Sequence, residues 1–133
     1  MSPPTTLRAV AILVVALALG ACSSGDGNTV AMQSGQRFEP KVLTVDAGET
    51  VTFINESEDA HTVTAYENEI PEAASYFSSG GFANENEARD DLAGGLLSAG
   101  EKFDVRFEMP GTYQYFCIPH EDSGMIGRIV VEQ

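Results

Sequence analysis

The stretch Tyr115-Phe116-Cys117-Ile118-Pro119-His120-Glu121-Asp122-Ser123-Gly124-Met125 lies between two short runs of β character, Thr112 to Phe116 and Gly127 to Val131. The turn pair Pro110-Gly111 precedes the first run. This is the layout of two strands joined by a loop that carries sulfur and imidazole side chains. Working outward, Phe103, Val105 and Phe107 alternate with Asp104 and Arg106, which predicts a half-buried strand. Lys41 to Val45, Thr50 to Ile54 and His61 to Ala65 are further β runs. Asp46-Ala47-Gly48-Glu49 reads as a turn and Asn55 to Ala60 as a polar loop. Short strands at this spacing predict an all-β domain, an antiparallel sandwich or barrel.

One segment breaks the pattern. Tyr66 to Gly100 is rich in Gly, Ser, Ala and acidic residues. A structureless loop of that length is unusual in a compact domain. Asn84 to Leu92 predicts a short helix, with Asn84 as its cap and acids in its first turn. The segment is expected to pack over one face of the domain as a surface excursion, in preference to a partner-binding element.

The central loop places a thiol, an imidazole and a thioether in the pattern Cys-x2-His-x4-Met. Each of these residues has an ordinary structural use. A lone Cys is often a small buried hydrophobe, a lone Met is core filler, as expected for Met109, and a lone His is commonly a satisfied core or surface residue. Together they read differently. Thiolate suits Cu(I), imidazole suits both copper oxidation states, and a weak axial thioether completes a His2Cys-plus-Met electron-transfer site. The second imidazole must be His61, because the chain has only two histidines. The candidate ligands of one copper ion are therefore His61, Cys117, His120 and Met125. His120 lies on the loop, so its ring edge is the expected electron port, while His61 anchors the metal and Pro119 restricts the backbone between two ligands.

The inventory excludes neighbouring chemistries. A binuclear copper site needs two neighbouring cysteines in the fold, a multicopper oxidase needs many histidines, and a c-type haem needs Cys-x-x-Cys-His. None of these is present. Structural zinc rarely uses thioether. The expected function is single-electron transfer by Cu(II)/Cu(I), with no enzymatic reaction. The alternative is an extracytoplasmic protein that binds and delivers copper, although Met- or His-rich tracts are missing. A metal-free, lipid-anchored sandwich that binds another protein is a third reading.

The chain has 133 residues, room for one domain. Asp and Glu number 20 against seven Lys and Arg, a formal net charge of -13. That sign argues against nucleic-acid partners. Acidity serves solubility, or adaptation to high salt, where screening relieves self-repulsion; Lys41 and Lys102 as the only lysines favour the second.

Met1 to Arg8 is polar with one positive charge, and Ala9 to Leu19 is an unbroken apolar run. The run is shorter than the roughly 20 residues that span a bilayer. Leu19-Gly20-Ala21-Cys22 follows, so residues 1–21 read as an export signal. Leu-Gly-Ala-Cys resembles a lipobox, which makes Cys22 the expected lipid attachment site, on the outer face of the cell membrane. A plain cleaved signal with an incidental cysteine is the alternative. Residues 22–35 are expected to be a flexible linker, and residues 36–133 the domain.

From about Gln36 to Glu132 the chain resembles plastocyanin-type cupredoxins, and more closely the halocyanins of haloarchaea. The resemblance rests on Gly48-Glu49-Thr50-Val51-Thr52-Phe53, His61-Thr62-Val63, Gly111-Thr112-Tyr113, and Tyr115 to His120 through Gly124-Met125. It implies a Greek-key β-sandwich with copper at one end. It also implies His61, Cys117 and His120 as equatorial ligands, Met125 as the axial one, and a monomer exchanging electrons with a membrane-bound donor and acceptor. Two positions depart from the family. Thr62 stands where many plastocyanins have Asn, and Glu121 and Asp122 put acid on a rim that is usually apolar.

Overall fold

A computed structural model describes residues 27–133. Residues 1–21, the expected export signal, and Cys22, the expected lipid attachment site, lie outside the described residues. Eight strands form two four-stranded sheets. The strands are β1 (Thr29–Gln33), β2 (Arg37–Glu39), β3 (Val42–Asp46), β4 (Glu49–Asn55), β5 (Thr64–Ala65), β6 (Lys102–Phe107), β7 (Gly111–Phe116) and β8 (Ile126–Glu132). One sheet runs β2-β1-β4-β6 and the other β3-β8-β7-β5. The expected β-sandwich forms, but it is not wholly antiparallel: β1 pairs with β4, and β3 with β8, in parallel. The chain passes between sheets after β2 and again after β3, so strands distant in sequence become neighbours running the same way.

The fold also starts earlier than expected. Thr29 to Gln33, placed by the sequence in the flexible linker, lies between β2 and β4. Val30 and Met32 are fully buried. Their apolar side chains need that cover, and an edge position would leave the strand's main chain unpaired.

Alternation builds the interior as the pattern predicts. Val51 and Phe53 of β4 face inward, opposite Val105 and Phe103 of β6. In the second sheet Tyr113 and Tyr115 pair across from Ile129 and Gly127. Tyr115 sits edge-on to Phe38 (centroids 4.7 Å apart) and Phe53 (5.2 Å), which locks one sheet to the other. Its ring occupies the space over Gly127, where a Cβ would overlap the phenol oxygen. Burial pushes the Tyr115 phenol well above its ordinary value and keeps it neutral. The expected turn at Asp46-Ala47-Gly48-Glu49 is present, and Gly48 takes φ 91° there.

The segment between β5 and β6 is more than a surface excursion. Phe77 and Leu97 enter the core. Ala65 N–H donates to Phe77 O (3.1 Å) and Ser79 N–H to Val63 O (2.7 Å), so this stretch extends the sheet beside β5. The predicted helix is α1 (Glu85–Asp90), and Asn84 caps it by accepting from Glu87 N–H. A one-turn helix, α2 (Leu92–Gly95), follows. From α1, Arg89 reaches the loop after β7. Its guanidinium donates to both oxygens of Glu121 (2.7 and 3.1 Å) and to Glu85 (2.9 Å), and lies 4.4 Å from the centre of the Phe116 ring. Tyr66 stacks on Phe116, centroids 4.1 Å apart, and donates its hydroxyl to Glu121 (3.0 Å). Burial and this acceptor push the Tyr66 phenol up to about 12, while Arg89 holds the Glu121 carboxyl below its usual range.

Two expected outcomes test this packing. Gly127→Ala, which overfills the space under Tyr115, should cost about 1–3 kcal/mol, measured by denaturant unfolding; an unchanged midpoint would refute the close approach. Arg89→Ala removes a partly exposed ion pair and a cation–π contact, a loss of about 1–2 kcal/mol after solvent screening. It should lower the melting temperature by roughly 5–10 °C.

Candidate metal centre

The four sequence-predicted residues come from two separate pieces of chain, His61 from the connection between β4 and β5 and the other three from the connection between β7 and β8. His61 follows the loop after β4. Instead of standing in a strand, as the run His61 to Ala65 suggested, it forms an isolated bridge with Leu97. His61 N–H donates to Leu97 O (3.1 Å), and Leu97 N–H returns a bond to His61 O (2.7 Å). The segment before β6 therefore backs this histidine.

Cys117 directly follows β7, and its N–H donates to Met125 O (3.0 Å). The chain then turns through a 3-10 stretch, Ile118–Ser123, with Pro119 near its start, where a missing N–H costs nothing. His120 sits in that turn. Gly124 takes φ 81°, a left-handed conformation that glycine adopts freely, and swings the chain back. Met125 N–H can then donate to His120 O (3.2 Å). Met125 is completely buried, with its main chain bonded to both Cys117 and His120.

Three donor atoms converge. His61 Nδ1 and His120 Nδ1 lie 3.1 Å apart. Cys117 Sγ lies 3.7 Å from the first and 3.3 Å from the second. A triangle with these sides has a point about 2 Å from every corner, the length of a metal–nitrogen or metal–sulfur bond. The donors suit copper: one soft thiolate, two imidazoles and a neighbouring thioether. No other group of three His, Cys, Asp or Glu donors with metal-binding geometry occurs among the described residues.

The site is dry. His61 and Cys117 are buried, and His120 is partly exposed at the rim. Burial pushes the Cys117 thiol up, against lowering by hydrogen bonds from the main chain. Burial, helped by His120, pushes His61 down, with Asp59 opposing. A bound cation reverses this logic for the thiol, because coordination deprotonates it outright.

Thr62 does the work of tying the loops. Its hydroxyl accepts from Ile118 N–H (2.8 Å) and from the Thr64 hydroxyl (3.1 Å), and its N–H donates to Cys117 Sγ (3.4 Å). The acidic rim also differs from expectation, since Glu121 is paired with Arg89 and only Asp122 remains as free acid on the turn. Sequence reasoning missed Ser57, whose Oγ lies 2.8 Å from His61 Nε2, and Asn55 behind it. Their one signal was polar residues bracketing a strand end, which reads as an ordinary loop.

Comparison with known proteins agrees with this geometry. Residues 26–132 match the family described as copper binding proteins, plastocyanin/azurin family. Plastocyanin of Scenedesmus fuscus is 37% identical over 95 residues, spanning 71% of this chain and 86% of that protein. Chloroplastic plastocyanin of Chlamydomonas reinhardtii is 32% identical over 127 residues, 96% of this chain and 80% of that one. Among solved structures, oxidised plastocyanin from Dryopteris crassirhizoma superimposes with a TM-score of 0.57 at 25% identity, over 78% of this chain and 99% of that chain. With a single copper ion as the cofactor that its donor set fits, this chain belongs to the plastocyanin/azurin family of copper-binding proteins.

Proposed function

We propose that this protein is a type 1, or blue, copper electron carrier in which His61, Cys117, His120 and Met125 would hold the ion. The observation that carries this reading is the convergence of two Nδ1 atoms and one Sγ on a single buried point. Copper held there supplies a Cu(II)/Cu(I) couple. The chain supplies the rest. Cys117 N–H, Thr62 and the Gly124 turn fix the donors against a packed sandwich, so the ligands move little between oxidation states. His120, the ligand that reaches the rim, is the port through which electrons pass. Pairing of Glu121 with Arg89 lowers the charge beside that port and favours close approach of a redox partner. Deep burial of His61, Cys117 and Met125 supports retention of copper over its delivery, and the plastocyanin relatives favour a carrier over an enzyme.

In its finer form, the proposal is a halocyanin-like protein. It is exported by residues 1–21 and anchored through lipid on Cys22 at the outer face of the cell membrane. There it acts as a monomer, shuttling electrons between a membrane-bound donor and acceptor. The net charge of -13 supports a high-salt setting, where electrostatic steering is screened and apolar contact decides docking.

Copper added to the purified protein should give an intense blue absorption. Cys117→Ser should abolish it, and survival of the band would overturn the ligand assignment. Met125→Leu should retain copper and raise the reduction potential. Cys22→Ser should move the protein from the membrane fraction to the soluble one on cell fractionation; continued membrane association would remove the lipid anchor from the account.

A further inference from the structure

Ser57 and Asn55 lie outside the Cys-x2-His-x4-Met motif, yet they end a chain of hydrogen bonds that starts on His61. His61 Nδ1 faces Cys117 Sγ and His120 Nδ1. A metal at that point takes the Nδ1 lone pair and leaves the imidazole proton on Nε2, 2.8 Å from Ser57 Oγ. Ser57 Oγ lies 2.9 Å from Asn55 Oδ1, and Ser57 N–H donates to the same oxygen, also at 2.9 Å. Asn55 Nδ2 donates to Asp59 O (2.7 Å) and Leu97 O (2.9 Å).

These partners fix the direction of the chain. Rotating the Asn55 amide would set its NH2 against the Ser57 N–H, and its oxygen against two carbonyls. Asn55 Oδ1 is therefore the acceptor, and the Ser57 hydroxyl proton points toward it or toward Asp59 O at 3.2 Å. Either way a Ser57 lone pair faces His61 Nε2. Asn55, Ser57 and His61 are all buried, so water does not replace these contacts. His120 has no such support: its side-chain hydrogen bonds all run through Nδ1.

We propose that Ser57 is a positioning residue for the copper centre. By accepting the His61 N–H it holds the imidazole in the tautomer and ring orientation that present Nδ1 to the metal, and it strengthens Nδ1 as a donor. Asn55 orients Ser57 and ties it to Leu97, whose main chain already pairs with His61. The inference rests on His61 being a ligand, the reading given above. Loss of a partner behind a metal-bound histidine typically weakens metal binding 10- to 100-fold. Cu(II) depends more on a strong imidazole donor than Cu(I) does, so the potential should rise. Each tenfold difference in loss between the two states corresponds to about 59 mV.

The test compares the full chain with Ser57→Ala, Ser57→Thr and Ser57→Val. In metal-free protein, nitrogen-15 NMR reads the His61 Nε2–H directly. Wild type and Ser57→Thr should show a slowly exchanging proton there, and Ser57→Ala should exchange it at least tenfold faster. On copper loading, Ser57→Ala should stay blue, lose at least tenfold in Cu(II) affinity and show a raised potential, and Ser57→Thr should restore both. Threonine and valine share the added methyl group, so that pair isolates the hydroxyl even where the alanine variant does not fold. A Ser57→Ala protein that melts earlier but keeps the wild-type proton exchange, affinity and potential would overturn the proposal, as would identical potentials for the threonine and valine variants. Wild type that takes up copper without turning blue would instead overturn the ligand assignment.

Discussion

Two imidazole nitrogens and a thiol sulfur lie within 3.7 Å of one another, and nothing intrinsic to those atoms keeps them together. Hydrogen bonds among them offset only part of the cost of burying polar groups. The polypeptide around them must hold that arrangement. It does so mainly through the backbone. Cys117 and Met125 are bonded across the mouth of the loop, Met125 is bonded back to His120, and His61 is paired on both its main-chain groups with Leu97. Side chains add the cross-links, with Thr62 spanning from one ligand loop to the other. Rigidity at the centre therefore comes from many modest hydrogen bonds rather than from one strong contact.

The two sheets give these loops a fixed base. Tyr115, two residues before Cys117, is held edge-on by rings from the opposite sheet, so the strand that delivers the thiol cannot slide without disturbing the core. The segment between β5 and β6 supplies a second support. It contributes Phe77 and Leu97 to the interior, extends the sheet beside β5, and sends Arg89 onto the ligand loop.

Much of this was legible in the sequence because it is local. The alternation of Phe103, Val105 and Phe107, the turn at Gly48 and the Asn84 cap are short-range patterns, and each appears in the fold. The pattern Cys-x2-His-x4-Met is equally local, and with one other histidine in reach of the fold the donor set followed from counting. What was missed is non-local. Val30-Ala31-Met32 has no alternation and follows a polar run, so β1 was read as linker; only its position between two strands makes it core. Parallel pairing of β1 with β4 is a property of how the chain crosses between sheets, and no window of sequence carries it. Glu121 looked like free acid because its partner, Arg89, lies in a different element. Ser57 and Asn55 looked like loop residues because their roles exist only once Leu97 and His61 have come together.

The Arg89 clamp has a consequence for how such a protein can change over time. A ligand loop is often imagined as a cassette that can be moved from one scaffold to another. Here Glu121 belongs to the cassette, while Arg89, Glu85 and Tyr66 belong to the insertion. Transplanted alone, the loop would carry an orphaned carboxylate to the edge of its histidine, and the insertion left behind would keep its guanidinium paired with Glu85 alone. The loop and the insertion therefore form one heritable unit, and drift in either is constrained by the other although they are far apart in sequence.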